Sequence, residues 1–117
     1  MIARVYRLRT AADFNKTYQR GRSVNADTMY VKHYQSHFEN SKVAVVVSKK
    51  VSKRAVVRNR CKRRVIEVVR KNWQHITPGH NFILTVKQDI SALPAAEVER
   101  TVLDLLKRAK LWQSTTQ

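Results

Sequence analysis

The chain has 117 residues, of which 43% are hydrophobic, and this is enough apolar material for the core of one small domain. Its 24 Lys and Arg residues outnumber eight Asp and Glu residues, and the net charge of +16 indicates a strongly anionic partner. No run of about 18 apolar residues is present, and arginines interrupt the first nine residues, which argues against a membrane span and a signal peptide.

The cysteine content and the ends of the chain complete this outline. Cys61 is the only cysteine and cannot form an internal disulfide, which fits a reducing cytosol. We therefore expect a cytoplasmic protein with one domain over residues 1–117 and frayed ends at about 1–6 and 113–117.

The first predicted element is a helix from about Ala11 to Arg20. Residues 10–13 resemble a capping box with Asp13 in the place of Glu or Gln. Gly21 is expected to end the helix in the left-handed conformation. Phe14 and Tyr18 are four residues apart and therefore share one face of the helix.

Three strands are predicted from runs of apolar and alternating residues. Residues 28–34 alternate, with Tyr30, Lys32 and Tyr34 on the side opposite Met29 and Val31, which indicates a half-buried strand. The valine-rich run 43–47 predicts a central strand buried on both faces. After a break at residues 78–79, the run 81–86 predicts another buried strand.

Between the last two strands lies a basic segment, residues 49–71, with 11 of the 24 Lys and Arg residues and only Glu67 opposing them. From about Val56 to Trp73 it has no Gly or Pro. Its apolar residues recur three or four apart, as in a helix packed on a sheet; they are Val57, Cys61, Val65, Val68 and Val69. At about 100° per residue, one group of cations is expected opposite this stripe and another on its flank. The first group is Arg60, Arg63, Arg64, Arg70 and Lys71, and the second is Arg58 and Lys62.

A last helix is predicted to open between Ser91 and Pro94. Its apolar residues are spaced to face a core; they are Val98, Val102, Leu105, Leu106 and Ala109. The order α-β-β-α-β-α predicts the α/β (α+β) class, a two-layer sandwich of helices on one sheet. Trp73 and Trp112, at the ends of helices, are expected to cap the core.

No catalytic constellation can be assembled from these residues. The eight carboxylates are scattered, without a pair typical of a two-metal site. The four histidines, residues 33, 37, 75 and 80, lack metal-ligand spacing. Cys61 falls in the apolar stripe and is expected to be a small buried hydrophobe. The polypeptide is therefore predicted to be non-catalytic and to hold no metal.

The chemistry for binding is present. A solvated helix face usually mixes both signs of charge, so the cations of the basic segment indicate a nucleic-acid partner. Asn59 adds an amide that can donate to a phosphate or a 2′-hydroxyl. Phe14, Tyr18 and Tyr30 could stack on unpaired bases, and ordinary core packing is an equal alternative.

Residues 48–50 and 53–64 resemble the "RNR" signature of the bacterial ribonuclease P protein component. The sequence there is Ser-Lys-Lys and then Lys-Arg-Ala-Val-Val-Arg-Asn-Arg-Cys-Lys-Arg-Arg. The resemblance extends over about residues 6–112, from residues 7–9, 13–14, Gly21 and Ser23 to residues 105–107. Two positions depart from the family, which often has Gly where Ser52 stands and Ile or a similar residue where Cys61 stands.

The resemblance implies the protein subunit of ribonuclease P, which removes the 5′ leader from precursor tRNA. In this family the RNA subunit is the catalyst and holds the Mg²⁺ ions, so the protein has no catalytic residue or cofactor of its own. Its partners are the RNA subunit and precursor tRNA, with no membrane or protein partner. A left-handed βαβ crossover through the basic helix, against the usual right-handed rule, is also implied.

The implied site has two parts. The residues implied to bind RNA are Lys49, Lys50, Lys53, Arg54, Arg58, Asn59, Arg60, Lys62, Arg63 and Arg64. The leader-binding cleft is implied to contain Phe14, Tyr18, Tyr30 and Lys32, with the last two as alternatives for the position that the strand contributes. A generic RNA-binding or ribosomal protein would explain the charge but not the order of motifs. A DNA-binding protein would prefer duplex DNA, and a membrane-surface protein would need an exposed apolar face on the basic helix.

Overall fold

The structure, a computed structural model, describes residues 6–36 and 39–113. Most of the expected frayed ends, and His37, lie outside the described residues. The helices and strands are α1 (Ala11–Arg20), β1 (Arg22–Asn25), β2 (Met29–Gln35), β3 (Lys42–Val47), α2 (Ala55–Lys71), β4 (His80–Val86) and α3 (Ala95–Arg108). A short 3₁₀ helix, Trp73–His75, follows α2.

The four strands form one sheet in the order β1-β2-β4-β3. β2 pairs antiparallel with both β1 and β4, whereas β3 and β4 are parallel and are connected through α2. The predicted class, a small α+β domain with helices packed on one sheet, is confirmed. The left hand of the crossover through α2 stays a prediction.

β1 is a strand that the sequence did not predict, and it changes the order of elements to α-β-β-β-α-β-α. Its sequence is Arg-Ser-Val-Asn, and only Val24 is turned partly inward. Four residues with one apolar side chain show no alternation. The strand forms because β2 offers it backbone partners, with Val24 opposite Val31.

The prediction that residues 43–47 form a central strand is wrong. β3 lies at the edge of the sheet, and the central position belongs to β4. In β3 the buried side chains alternate, with Val43 and Val45 buried while Ala44 and Val46 are half-buried. Four consecutive residues of β4, 81–84, are buried, as expected for a strand covered on both faces.

The main core lies between one face of the sheet and the two helices α2 and α3. The sheet contributes Met29, Val31 and Leu84, and α2 contributes Cys61 and Val65. Cys61 is fully buried, so its predicted place in the core is confirmed. Trp73 and Trp112 pack against the margin of this core, also as predicted.

α1 packs on the opposite face of the sheet, against β2 and β4. Its N-terminus is capped as predicted, because the Thr10 side chain accepts a hydrogen bond from the Asp13 N–H at 3.2 Å. The left-handed conformation expected at Gly21 is wrong, since its φ of −77° is ordinary extended backbone. A Cβ at Gly21 would instead collide with the carbonyl groups of Thr17 and His33. Glycine here permits the close approach of the helix end to β2.

Candidate nucleic-acid interface

Two serines shape the turn that leads into α2. The Ser48 side chain accepts a hydrogen bond from the Lys50 N–H at 3.3 Å, and the Ser52 side chain accepts one from the Arg54 N–H at 3.1 Å. The Ser52 carbonyl also accepts from Arg58 Nη1 at 2.9 Å. Ser52, which departs from the family pattern, therefore helps to order the turn. The cationic side chains of this segment lie exposed; they are Lys49, Lys50, Lys53 and Arg54.

α2 presents exposed polar side chains from Asn59, Arg60, Lys62 and Arg63. Within residues 6–36 and 39–113, no ion pair engages Lys62 or Arg63. The one acid of the segment, Glu67, forms a salt bridge with Arg70, and the hydrogen bond from Arg70 lowers the pKa of the Glu67 carboxyl. The outward cations are thus left available to a polyanion.

Arg64 has a different role from its neighbours. Its Nη1 donates to the carbonyl groups of Ile90 at 2.8 Å and Ser91 at 3.1 Å, so the half-buried side chain ties α2 to the loop after β4. The expectation that Arg64 lies opposite the apolar stripe is wrong, because its half-buried side chain reaches the carbonyl of Ile90, a residue of the core that the stripe faces. The Arg64 guanidinium group is thus engaged in hydrogen bonds within the fold.

The same loop also covers Cys61. The Cys61 thiol lies 3.6 Å from Asp89 Oδ1, and that oxygen accepts a hydrogen bond from the Ser91 N–H at 2.8 Å. Hydrogen bonding from Ser91 lowers the pKa of the Asp89 carboxyl, and burial raises the pKa of the Cys61 thiol. A neutral, buried thiol has the character of a structural residue rather than of a nucleophile.

The aromatic residues of α1 face the sheet surface that α2 and α3 leave free. The rings of Phe14 and Tyr18 lie 6.3 Å apart, and Tyr18 is 40% exposed. Burial, followed by the nearby Tyr30, raises the pKa of the Tyr18 hydroxyl. Tyr30 of β2 therefore lies near Tyr18. Lys32 is on the same face of β2, two residues farther along the strand.

Lys87 was not identified from the sequence. Its Nζ lies 6.0 Å from the centre of the Tyr30 ring, where an ammonium group adds positive charge to the aromatic surface. Lys87 directly follows β4, and no motif marks it. Only the pairing of β2 with β4 brings it next to Tyr30.

A groove of about 510 Å³ runs along β3, and residues from both predicted parts of the site line it, although Tyr18, Tyr30 and Lys32 are not among them. Phe14 lines it from α1, whereas Arg58, Asn59 and Lys62 line it from α2. Arg7 and Arg9 complete its cationic rim. The family resemblance included residues 7–9 but gave them no role, and the bridge between Arg7 and Val43 now explains their position.

Two of the histidines, His75 and His80, make contacts within the fold. His75 stacks on Trp112 with ring centres 4.5 Å apart, and the His80 ring nitrogen Nδ1 lies 3.1 Å from the Pro78 carbonyl. In the part of the chain that the structure describes, no three His, Cys, Asp or Glu side chains form a group that could hold a metal ion. None of the helices in that part is long and apolar enough to cross a bilayer.

The family model described as Ribonuclease P matches residues 2–110. The chain belongs to the ribonuclease P protein family. A curated "Ribonuclease P protein component" from Clostridium beijerinckii is 34% identical, over 94% of this chain and 93% of its own length. One from Symbiobacterium thermophilum is 35% identical, over 96% of this chain and 97% of its own length. The solved structure of the Staphylococcus aureus RNase P protein has a TM-score of 0.82 at 27% identity and covers 92% of this chain and 98% of its own.

Membership of the ribonuclease P protein family indicates the process in which this chain takes part. The chain is a component of an endoribonuclease and acts in tRNA processing. Ribonuclease P RNA and tRNA are accordingly the classes of partner that this family implies.

Proposed function

We propose that this protein binds the RNA subunit of ribonuclease P through α2 and its preceding turn. In the same proposal, the cleft between α1 and the sheet binds the 5′ leader of precursor tRNA. The protein thereby assists endonucleolytic removal of the leader, which leaves the mature 5′ end of the tRNA. The proposed location is the cytoplasm.

The observation that carries this proposal is the shared groove. Phe14 from the aromatic cleft and Lys62 from the motif helix line one continuous depression, although they are 48 positions apart in the chain. A single strand stacked on the aromatic rings would therefore lead directly to the helix that holds the larger RNA. Binding at one place would position the other partner.

Catalysis and Mg²⁺ are assigned to the RNA subunit in this proposal. Three carboxylates of the protein are already engaged in its own fold: Glu67 with Arg70, Asp104 with Arg108, and Asp89 with Ser91. The cations of α2 would offset phosphate repulsion between the RNA subunit and its substrate. The protein then contributes binding and charge, and the RNA subunit contributes the reaction.

The direct test compares the affinities of leader-bearing and mature tRNA for the RNA subunit, with and without this protein. The protein should strengthen binding of the leader-bearing tRNA and leave that of mature tRNA nearly unchanged. A generic RNA-binding protein would strengthen both to the same extent. Equal strengthening would therefore contradict the proposed leader cleft.

A further inference from the structure

The outer edge of β3 carries backbone groups without partners in the sheet. The Leu8 N–H donates to the Val43 carbonyl at 2.9 Å, so the backbone groups of Val43 point away from β4. Alternate residues of a strand direct their backbone groups to the same side. The N–H and C=O groups of Val45 and Val47 therefore also point to this open edge. In the described ranges, no backbone hydrogen bond joins either residue to a segment outside the sheet.

This open edge faces the groove of about 510 Å³. Across the groove stand Arg58, Asn59 and Lys62 of α2, and Phe14 lies at one side. Folded proteins usually cover or block an exposed strand edge because it can pair with another chain. Here the edge is left accessible beside a row of cations, which selects an extended and anionic occupant.

We propose that this edge groove binds the sugar–phosphate backbone of single-stranded RNA. The N–H groups of Val45 and Val47 donate to successive phosphates, and Arg58 and Lys62 neutralise them. This inference rests on the proposed function, because the strand is the leader continuing from Phe14. The two N–H groups are about 6.6 Å apart at about 3.3 Å per residue, a spacing comparable with that of phosphates in an extended strand.

Recognition by the main chain suits a substrate class with variable sequences. Contacts to phosphates set the position of a nucleic acid and carry no base information. Leaders of different sequence would therefore be held alike along β3. An extended peptide could pair with the same edge, but an uncharged one would leave Arg7, Arg9, Arg58 and Lys62 without a counter-charge.

The test replaces single backbone amides by esters in the full-length protein, assembled with the RNA subunit. An ester at Val47 removes the N–H and keeps the side chain. It should weaken binding of leader-bearing tRNA about tenfold, as expected for one hydrogen bond to a charged group. Binding of mature tRNA and of the RNA subunit should stay unchanged. An ester at Val45 is expected to have the same effect. It serves as the second test if the Val47 ester reduces thermal stability.

The matched control is an ester at Ser23, on the opposite edge of the sheet. The Asn25 carbonyl accepts from Arg108, so the backbone groups of Ser23, two residues earlier, also point away from β2. This ester should leave leader binding unchanged. Unchanged leader affinity in both valine esters would overturn the inference, and so would a loss confined to RNA-subunit binding. A wild-type protein that does not favour leader-bearing over mature tRNA would instead refute the proposed function itself.

Discussion

The neighbouring residues Arg63 and Arg64 on α2 have different surroundings. Arg64 donates to two backbone carbonyls of the loop after β4, whereas Arg63 is exposed and takes part in no ion pair among the described residues. Arg64→Ala should therefore lower the free energy of unfolding by about 1.5 kcal/mol, because it removes charged donors from those carbonyls. Denaturant unfolding measures this loss.

Arg63→Ala is the matched control for that change. Its unfolding free energy should stay within about 0.5 kcal/mol of the wild type. Binding to the RNA subunit should weaken, and the slope of log affinity against log salt should fall by about 0.7–0.9 for one lost phosphate contact. Equal stability losses in the two variants would contradict the separate roles of Arg63 and Arg64.

The pH dependence of stability should report on His33. Burial, followed by His80 and Arg22, lowers the pKa of His33 in the folded chain. The unfolded chain then binds the proton more tightly than the folded chain. The contribution of neutral His33 to the free energy of unfolding is therefore fully present above about pH 6.5. It is lost as the pH falls through the lowered folded pKa. Urea unfolding of wild type and His33→Gln over this range should give a flatter curve for the variant, and parallel curves would count against the assignment.

Only local roles were predictable at the scale of residues. Thr10 acts three residues away in the chain, and the apolar spacing on α2 placed Cys61 in the core. The partners of Arg64 are 26 and 27 positions away, and nothing in the helical pattern records them. For the same reason the sequence did not identify Lys87 beside Tyr30.

Among the elements, the bounds of α1 agree with the prediction, and those of β2 and β4 agree within about one residue. Hydrophobic patterns show which residues are apolar but do not record the order of strands. The valines of β3 were therefore assigned to the centre of the sheet, although the strand lies at its edge. Part of this apolar run lines the groove and is not buried on both faces of the sheet.

The role of α1 can be tested by separating its aromatic surface from its packing. Phe14→Leu keeps an apolar side chain of similar size but removes the flat ring, so thermal stability should change little. If the ring stacks on the leader, holoenzyme binding of leader-bearing tRNA should weaken by about 1–3 kcal/mol. Binding of mature tRNA should be unaffected, and this is the internal control. Equal losses for both tRNAs would show that Phe14 serves packing only.

In the molecule as a whole, the sheet separates the hydrophobic core from the aromatic surface of α1. One face holds the core beneath α2 and α3, and the other carries α1 with its aromatic residues. The two sides meet at the edge of β3, where the groove lies. The sequence alone indicated the basic helix and the aromatic pair as separate features. Their meeting at one edge depends on strand order, which no local pattern contains.

The central claim is that the protein enables an RNA catalyst and does not cleave RNA itself. The measurement is cleavage of precursor tRNA across a Mg²⁺ titration with three enzymes: the protein alone, the RNA subunit alone, and both together. The protein alone should be inactive at every concentration. Adding it to the RNA subunit should lower the Mg²⁺ required, because its cations replace part of the screening. Cleavage by the pure protein, or an unchanged Mg²⁺ requirement, would contradict this account.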